Sequence, residues 1–293
     1  MVALEEVAKE IWVEGCDKMK KWVIIIIAII IVISILFMIG KTNNNSDEYN
    51  FKIYFFNAGK ADAILISNND KYIMIDTGEE SLSSEILSYF RNNNITTLDY
   101  LIITHFDKDH VGSASSVIDN INVLNVLQSN YPKESEYYNN YINSLNNKGI
   151  SPITVSDNYE LSLGDLNVIV NGPNKIYDKN ESNNSSLIVS VYYQNTSYLF
   201  MGDAENARIK DYLSTHVDSY DFIKIPYHGN YQKRLDALLE TVNPKIAVIT
   251  SSNKEMESSE TISLLNNNNV KYYLTRNGSI NIYSDGNEII VKQ

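Results

Sequence analysis

Residues 22–39 form an apolar run of 18 residues, ten of them Ile, interrupted only by Ser34. A helix of that length spans about 27 Å, close to the roughly 30 Å hydrocarbon core of a bilayer. A long helix packed into a soluble domain keeps a polar stripe, and this run has none. It predicts a transmembrane helix over residues 22–40. Lys18, Lys20 and Lys21 precede the run and only Lys41 follows closely. That bias puts residues 1–21 in the cytoplasm and the rest of the chain outside. No small-residue cleavage site and no lipid-accepting cysteine follows Gly40, so the helix reads as an uncleaved anchor. The expected location is the cell membrane, single-pass, with the main domain extracellular. Glu5, Glu6, Glu10 and Glu14 suit no export signal, and Met19-Lys20-Lys21 reads as a natural start. Intact mass beginning at Met1 or Val2 would exclude a start at Met19.

Residues 41–50 are polar and read as a linker. The remainder, residues 51–293, reads as one domain. Hydrophobic residues make up 44% of the chain and charged ones 20%, a globular balance. The net charge of −12 argues against a broad surface that grips many nucleic-acid phosphates, but leaves room for a small site that cuts one. The lone Cys16 excludes an intrachain disulfide and a cysteine zinc site. Short apolar or alternating runs at 51–56, 63–67 and 71–75, separated by turn residues, predict an antiparallel meander. Helical spacing of Leu82, Ile86, Leu87 and Phe90 predicts a helix over 81–92. An apolar strand over 100–104 runs into His105. Further strands are expected at 153–155, 166–171, 187–193, 198–201, 222–226, 246–250, 270–274, 279–283 and 288–291. Helices are expected at 204–213, 235–241 and 259–266. Strands with helices late in each half suggest two packed β-sheets flanked by helices, a four-layer αββα sandwich of mixed α/β class.

The chain has four histidines, at 105, 110, 216 and 228. Two fall in Thr104-His105-Phe106-Asp107-Lys108-Asp109-His110, directly after an apolar strand. Imidazole and carboxylate groups so closely spaced at a strand end can converge on a divalent cation. An acidic, solvated turn with two ordinary histidines is the plainer reading. Its company favours the metal: Asp203 and His228 also follow strands, as does Asp76. His216 sits in a polar stretch and is expected to face solvent.

These segments together resemble the metallo-β-lactamase-fold hydrolases, and within them the hydrolase domain of the competence protein ComEC. The resemblance covers about residues 50–292. It rests on Asn57-Ala58-Gly59-Lys60-Ala61-Asp62-Ala63, Ile75-Asp76-Thr77-Gly78 and the His105–His110 segment. It continues through Asn183-Asn184-Ser185-Ser186-Leu187, Gly202-Asp203-Ala204-Glu205, Lys224-Ile225-Pro226-Tyr227-His228-Gly229 and Ser284-Asp285-Gly286. The resemblance implies one or two divalent ions, Zn²⁺ or Mn²⁺. His105 and Asp107 would hold one and Asp109, His110 and His228 the other, with Asp203 between them. Asp76, Asn183, Ser186 and Lys224 would support these ligands, and Asp109 and Tyr227 are the expected catalytic residues. A water made acidic by the ions would attack a phosphoester, DNA among the possible substrates. No protein partner is identifiable, and the membrane is the one partner the sequence names.

Two departures stand out. Tyr227 replaces the first of two adjacent family histidines, and Ser251-Ser252-Asn253-Lys254-Glu255-Met256-Glu257-Ser258 lacks the histidine of the family's N-x-Y-G-H-P stretch. They leave two alternatives open: a non-catalytic binding or scaffold protein, or a hydrolase of a lactone, thioester or choline phosphate.

Overall fold

The computed structural model of the protein describes residue 22 and residues 25–34, 49–178 and 181–293. The chain divides into two units, Met1–Tyr49 and Asn50–Gln293. In the first, residues 25–34 form helix α1, and its side chains are exposed. Among the described residues no helix is long and apolar enough to cross a membrane. The predicted span also includes residues 23–24 and 35–40, which lie outside the described residues, as do 1–21 and most of the linker.

The second unit opens with β1 (Phe51–Phe55), β2 (Ala63–Asn68), β3 (Lys71–Thr77), α2 (Ser83–Asn92) and β4 (Thr97–Ile103). Then come α3 (Lys108–Val111), α4 (Ala114–Asn120), β5 (Asn122–Ser129), α5 (Glu136–Lys148) and β6 (Ile153–Val155). Its later half runs β7 (Asn158–Leu163), β8 (Leu166–Asn171), α6 (Glu181–Asn184), β9 (Ile188–Tyr193), β10 (Thr196–Phe200) and α7 (Asn206–Leu213). It continues with β11 (Phe222–Lys224), α8 (Leu235–Val242), β12 (Ile246–Ile249), α9 (Ser259–Asn267) and β13 (Lys271–Leu274). Finally β14 (Ile280–Ser284) and β15 (Ile289–Lys292) return to the first sheet beside β1.

The sheet orders are β15-β14-β1-β2-β3-β4-β5-β6 and β13-β12-β11-β10-β9-β8-β7. Each begins as an antiparallel meander and becomes parallel where helical crossovers enter: from β3 to β6 in the first, and from β10 to β13 in the second. Strand alternation builds the layers. In β4, Ile102 joins a core between the two sheets with Phe55, Val189 and Phe200. Its neighbours Leu101 and Ile103 face a second core with Ile86 and Phe90 of α2 and Tyr141 of α5. A third core packs Leu199, Ile223 and Ala247 against α8 residues Leu235, Leu238 and Leu239. Three apolar layers separate four layers of structure, and the two-sheet sandwich expected from the sequence is present.

The parallel halves matter for the site. Open α/β sheets place ligand sites at the carboxyl ends of their parallel strands, where loops leave for the crossovers. Asp76 and Thr104 lie at the ends of β3 and β4; Asp203, His228 and Thr250 follow β10, β11 and β12. The His105–His110 segment is not all loop: Lys108–Val111 makes one helical turn, held by His110 N–H and Val111 N–H donating to Asp107 O, both at 2.9 Å. Gly112 ends that turn against the 79–80 backbone. A Cβ there would lie 2.6 Å from Glu80 N and 2.8 Å from Glu79 C.

Gly112→Ala should therefore push α3 off this backbone. Overpacking costs roughly 1–3 kcal/mol, which denaturant unfolding will read as a lower midpoint. Unchanged stability would show that the turn has room the backbone does not suggest.

Candidate metal centre

Four ligating atoms of Asp109, His110, Asp203 and His228 lie within 4.8 Å of one another. His228 Nε2 is 3.1 Å from Asp203 Oδ2 and 3.3 Å from Asp109 Oδ2. His110 Nε2 is 3.3 Å from Asp203 Oδ1 and 3.9 Å from Asp109 Oδ2. Ligands about 2.1 Å from a tetrahedral ion sit about 3.4 Å apart, the spacing seen here. His105 lies alongside, its ring centroid 4.1 Å from that of His110.

The histidines are presented by their other nitrogen. His110 Nδ1 is 2.8 Å from Asp76 Oδ2, a carboxylate that can only accept, so Nδ1 carries the hydrogen. Asp76 also accepts from Thr104 N–H at 2.7 Å and from Thr104 Oγ1 at 2.6 Å. With that hydroxyl proton committed, Thr104 Oγ1 accepts from His105 Nδ1 at 3.2 Å. The same logic fixes His228. Thr250 Oγ1 donates to Asp62 Oδ1 at 2.6 Å, so His228 Nδ1 donates to Thr250 O at 3.2 Å or to Oγ1 at 3.0 Å. All three rings thus turn Nε2 inward. His105 Nε2, His110 Nε2, His228 Nε2 and Asp203 Oδ1 are buried without a hydrogen-bond partner. Buried polar atoms are seldom left so. This donor set of imidazole nitrogens and carboxylate oxygens, oriented from behind, fits a divalent cation.

Electrostatics agrees. Burial works against charge on His228, but Asp203 and Asp62 outweigh it and raise its pKa to about 9. Burial likewise opposes charge on His110, and Asp203 and Asp76 push it well above the usual histidine range. Asp203 is held well below the ordinary carboxylate range: burial would raise it, but His228 and His110 prevail. Burial and repulsion from His110 keep His105 low, hence neutral. Without a cation, protons on His110 and His228 balance the carboxylates.

Beneath the ligands sits a buried ion pair. Lys224 and Asp62 are both essentially inaccessible and in direct contact. Lys224 Nζ also donates to Gly202 O at 3.1 Å and lies 3.8 Å from Asp203 Oδ1. Ser186 Oγ accepts from Asp203 N–H at 3.1 Å and lies 3.4 Å from His105 Nδ1. Tyr227 and His228 both take left-handed backbone angles, φ +50° and +51°, ahead of Gly229 at +77°. Such strain in non-glycine residues concentrates at functional sites.

Of the expected residues, Asp76, His105, Asp109, His110, Ser186, Asp203, Lys224 and His228 are brought together. Asp107 stands at the edge, its Oδ1 4.0 Å from His105 Nε2. Asn183 instead donates its amide to Glu205 Oε1 at 2.8 Å. His216, expected in solvent, is half-buried with its ring stacked on Tyr212 at 4.4 Å between centroids. Apolar ring faces leave water when a stacking partner is one turn away. Sequence reasoning gave no role to Asp62, Thr104, Thr250 or Lys133. A carboxylate placed directly before an apolar strand was the available signal for Asp62. The loop that lacks the family histidine is held by Glu257, which binds Arg276 through two contacts at 3.1 and 3.2 Å and accepts from Ser251 Oγ at 2.7 Å.

Residues 57–251 match the metallo-beta-lactamase superfamily, and the chain belongs to that family. It is similar to Recombination protein 2 of Haemophilus influenzae, 26% identical over 201 residues, which are 66% of this chain and 23% of that protein. It is similar also to ComE operon protein 3 of Bacillus subtilis, 24% identical over 200 residues, 61% of this chain and 25% of that one. The chain thus spans about a quarter of the length of the curated relatives it matches. Among solved structures, the metallo-beta-lactamase fold protein YhfI of Bacillus subtilis superposes with a TM-score of 0.52 at 8% identity, covering 83% of this chain and all of that one. That likeness is one of fold.

Ion binding must displace the protons on His110 and His228. Below about pH 9 the His228 proton competes, and His110 holds its own proton well above the usual histidine range, so affinity for Zn²⁺ should rise with pH from neutrality to at least about 9. Calorimetry at pH 7 in buffers of different ionisation enthalpy should show release of about two protons per ion. No proton release would mean the ion binds elsewhere.

Proposed function

We propose that this chain is a membrane-anchored, metal-dependent hydrolase of phosphoesters, with nucleic acid the favoured substrate class. The observation that carries the reading is the buried, convergent set of three Nε2 atoms and Asp203 Oδ1, each without a hydrogen-bonding partner. Asp109, His110, Asp203 and His228 would hold the ion. When bound, such an ion supplies Lewis acidity and acidifies a water. Asp76, Thr104 and Thr250 hold the rings in register; burial opposes charge on Asp62, but Lys224 holds it below the ordinary carboxylate range. Asp109 is the most exposed member of the group; burial would raise its carboxyl, but the His228 hydrogen bond and the charge of His110 hold it far below the ordinary carboxylate range, so it stands as an ionised ligand on the solvent side.

Tyr227 supplies the complementary acid. Burial, followed by the charges of Glu205, Asp203 and Asp109, raises its phenol, which therefore keeps its proton at neutral pH. A half-buried phenol beside the ligands can protonate a leaving oxygen. The name of one relative, Recombination protein 2, associates that protein with recombination and supports a phosphodiester as the bond. The acidic chain favours a short or locally held strand over an extended one.

The anchor is supported by the apolar run at 22–39 and by the exposed apolar side chains of α1, such as Ile30 and Ile33. Alkaline washing should leave the chain in the membrane pellet, and release into the supernatant would overturn anchoring.

Turnover of a bis-nitrophenyl phosphate and a single-stranded oligonucleotide, with Mn²⁺ or Zn²⁺ supplied, tests the chemistry. Asp203→Ala is expected to abolish it while the fold persists, and Tyr227→Phe to lower kcat on the order of 10²-fold with little change in KM. Equal rates in wild type and Asp203→Ala would refute the metal mechanism, and an unaltered Tyr227→Phe would remove the acid role alone.

A further inference from the structure

Asp107 belongs to the metal-binding segment by sequence, yet the structure commits it elsewhere. Its Oδ1 accepts from Lys133 Nζ at 2.6 Å and from the Ser182 hydroxyl. Lys133 lies in the loop between β5 and α5, and Ser182 in α6, so two separate segments close on one carboxylate oxygen. The four-residue group whose ligating atoms lie within 4.8 Å contains neither Asp107 nor His105. A divalent ion ligated by Asp107 would sit only about 4–5 Å from the Lys133 ammonium, and like charges at that range repel strongly in a partly buried setting.

We infer that Lys133 takes the place of a second metal ion: the centre holds one divalent cation, on Asp109, His110, Asp203 and His228, and the Lys133 ammonium bound to Asp107 fixes that stoichiometry. The inference rests on the metal-centre reading above and adds to it the count of ions and the residue that sets the count. The ammonium supplies one positive charge where a second divalent ion would supply two. It needs no free ligand and is delivered by the chain itself. His105, with its Nδ1 already donating to Thr104, keeps a free Nε2 beside Asp107. Both groups stand ready for a second ion once the lysine is gone.

The test is metal content of the full chain in detergent after equilibrium dialysis against Zn²⁺ and, separately, Mn²⁺, read by elemental mass spectrometry. Wild type is expected to carry one ion per chain, Lys133→Arg one, and Lys133→Met two. Lys133 is partly exposed, and Lys133→Gln gives a second neutral variant should the Met form fold poorly. Two ions in wild type would overturn this inference and leave the metal centre intact. One ion in both neutral variants would also overturn it, since Lys133 would then not set the count. No ion in folded wild-type protein would overturn both this inference and the metal-dependent function.

Discussion

The site is held together by the buried pair of Asp62 and Lys224. Asp62 leads into β2 of one sheet and Lys224 ends β11 of the other, so their contact bridges the sandwich where the ligand loops emerge. The Asp62 backbone extends the same hub: its N–H donates to Asp109 O at 3.0 Å, and its carbonyl accepts from Gly78 N–H at 2.7 Å. Its side chain also fixes Thr250, which orients His228. A buried charge pair is costly to assemble and costlier to break, because losing one partner strands the other in a low-dielectric interior. That asymmetry pins the register of the two sheets at the point where register decides whether the ligands meet.

Around this pair the charge is unbalanced. Asp62, Asp76, Asp109 and Asp203 surround the centre, and among the described residues Lys224 is the one lysine in direct contact with them, so a further positive charge is required. The two histidines with raised pKa values show how the protein meets that requirement with protons, and a divalent cation meets it with geometry as well. The carboxylates behind the rings do more than balance charge. They hold the hydrogen on the outer imidazole nitrogen, so that the proton a cation displaces is the one on the inward nitrogen. Most of these residues lie at or just beyond the carboxyl ends of strands, where a crossover leaves polar side chains at one rim; Asp62, which leads into β2, is the exception.

Much of this was legible in the sequence. Short apolar and alternating runs gave the first meander, and the ligands could be named because the candidates stand at strand ends and their motifs resemble those of a known family. The predicted helix at 81–92 and strand at 100–104 have their counterparts in α2 and β4. What escaped was whatever depends on the approach of distant segments. Asp62 falls in a motif segment, but its role shows only when Lys224 and Thr250, from the other sheet, reach it. Lys133 lies in a polar loop whose sequence says nothing of Asp107. Asn183 could be placed near the site by motif, but only the fold shows its amide turned to Glu205. His216 misled because a polar stretch hides a stacking partner four residues earlier, one helical turn back.

The inward-facing nitrogens of His110 and His228, with Asp109 and Asp203, are arranged as a cation site. Crystals of the Zn²⁺-soaked protein, measured on both sides of the zinc absorption edge, test it most directly. The account predicts an anomalous peak about 2.1 Å from His110 Nε2 and His228 Nε2 and in contact with both carboxylates. An anomalous map with no peak among these four side chains, or with zinc bound only at other surface groups, would contradict it.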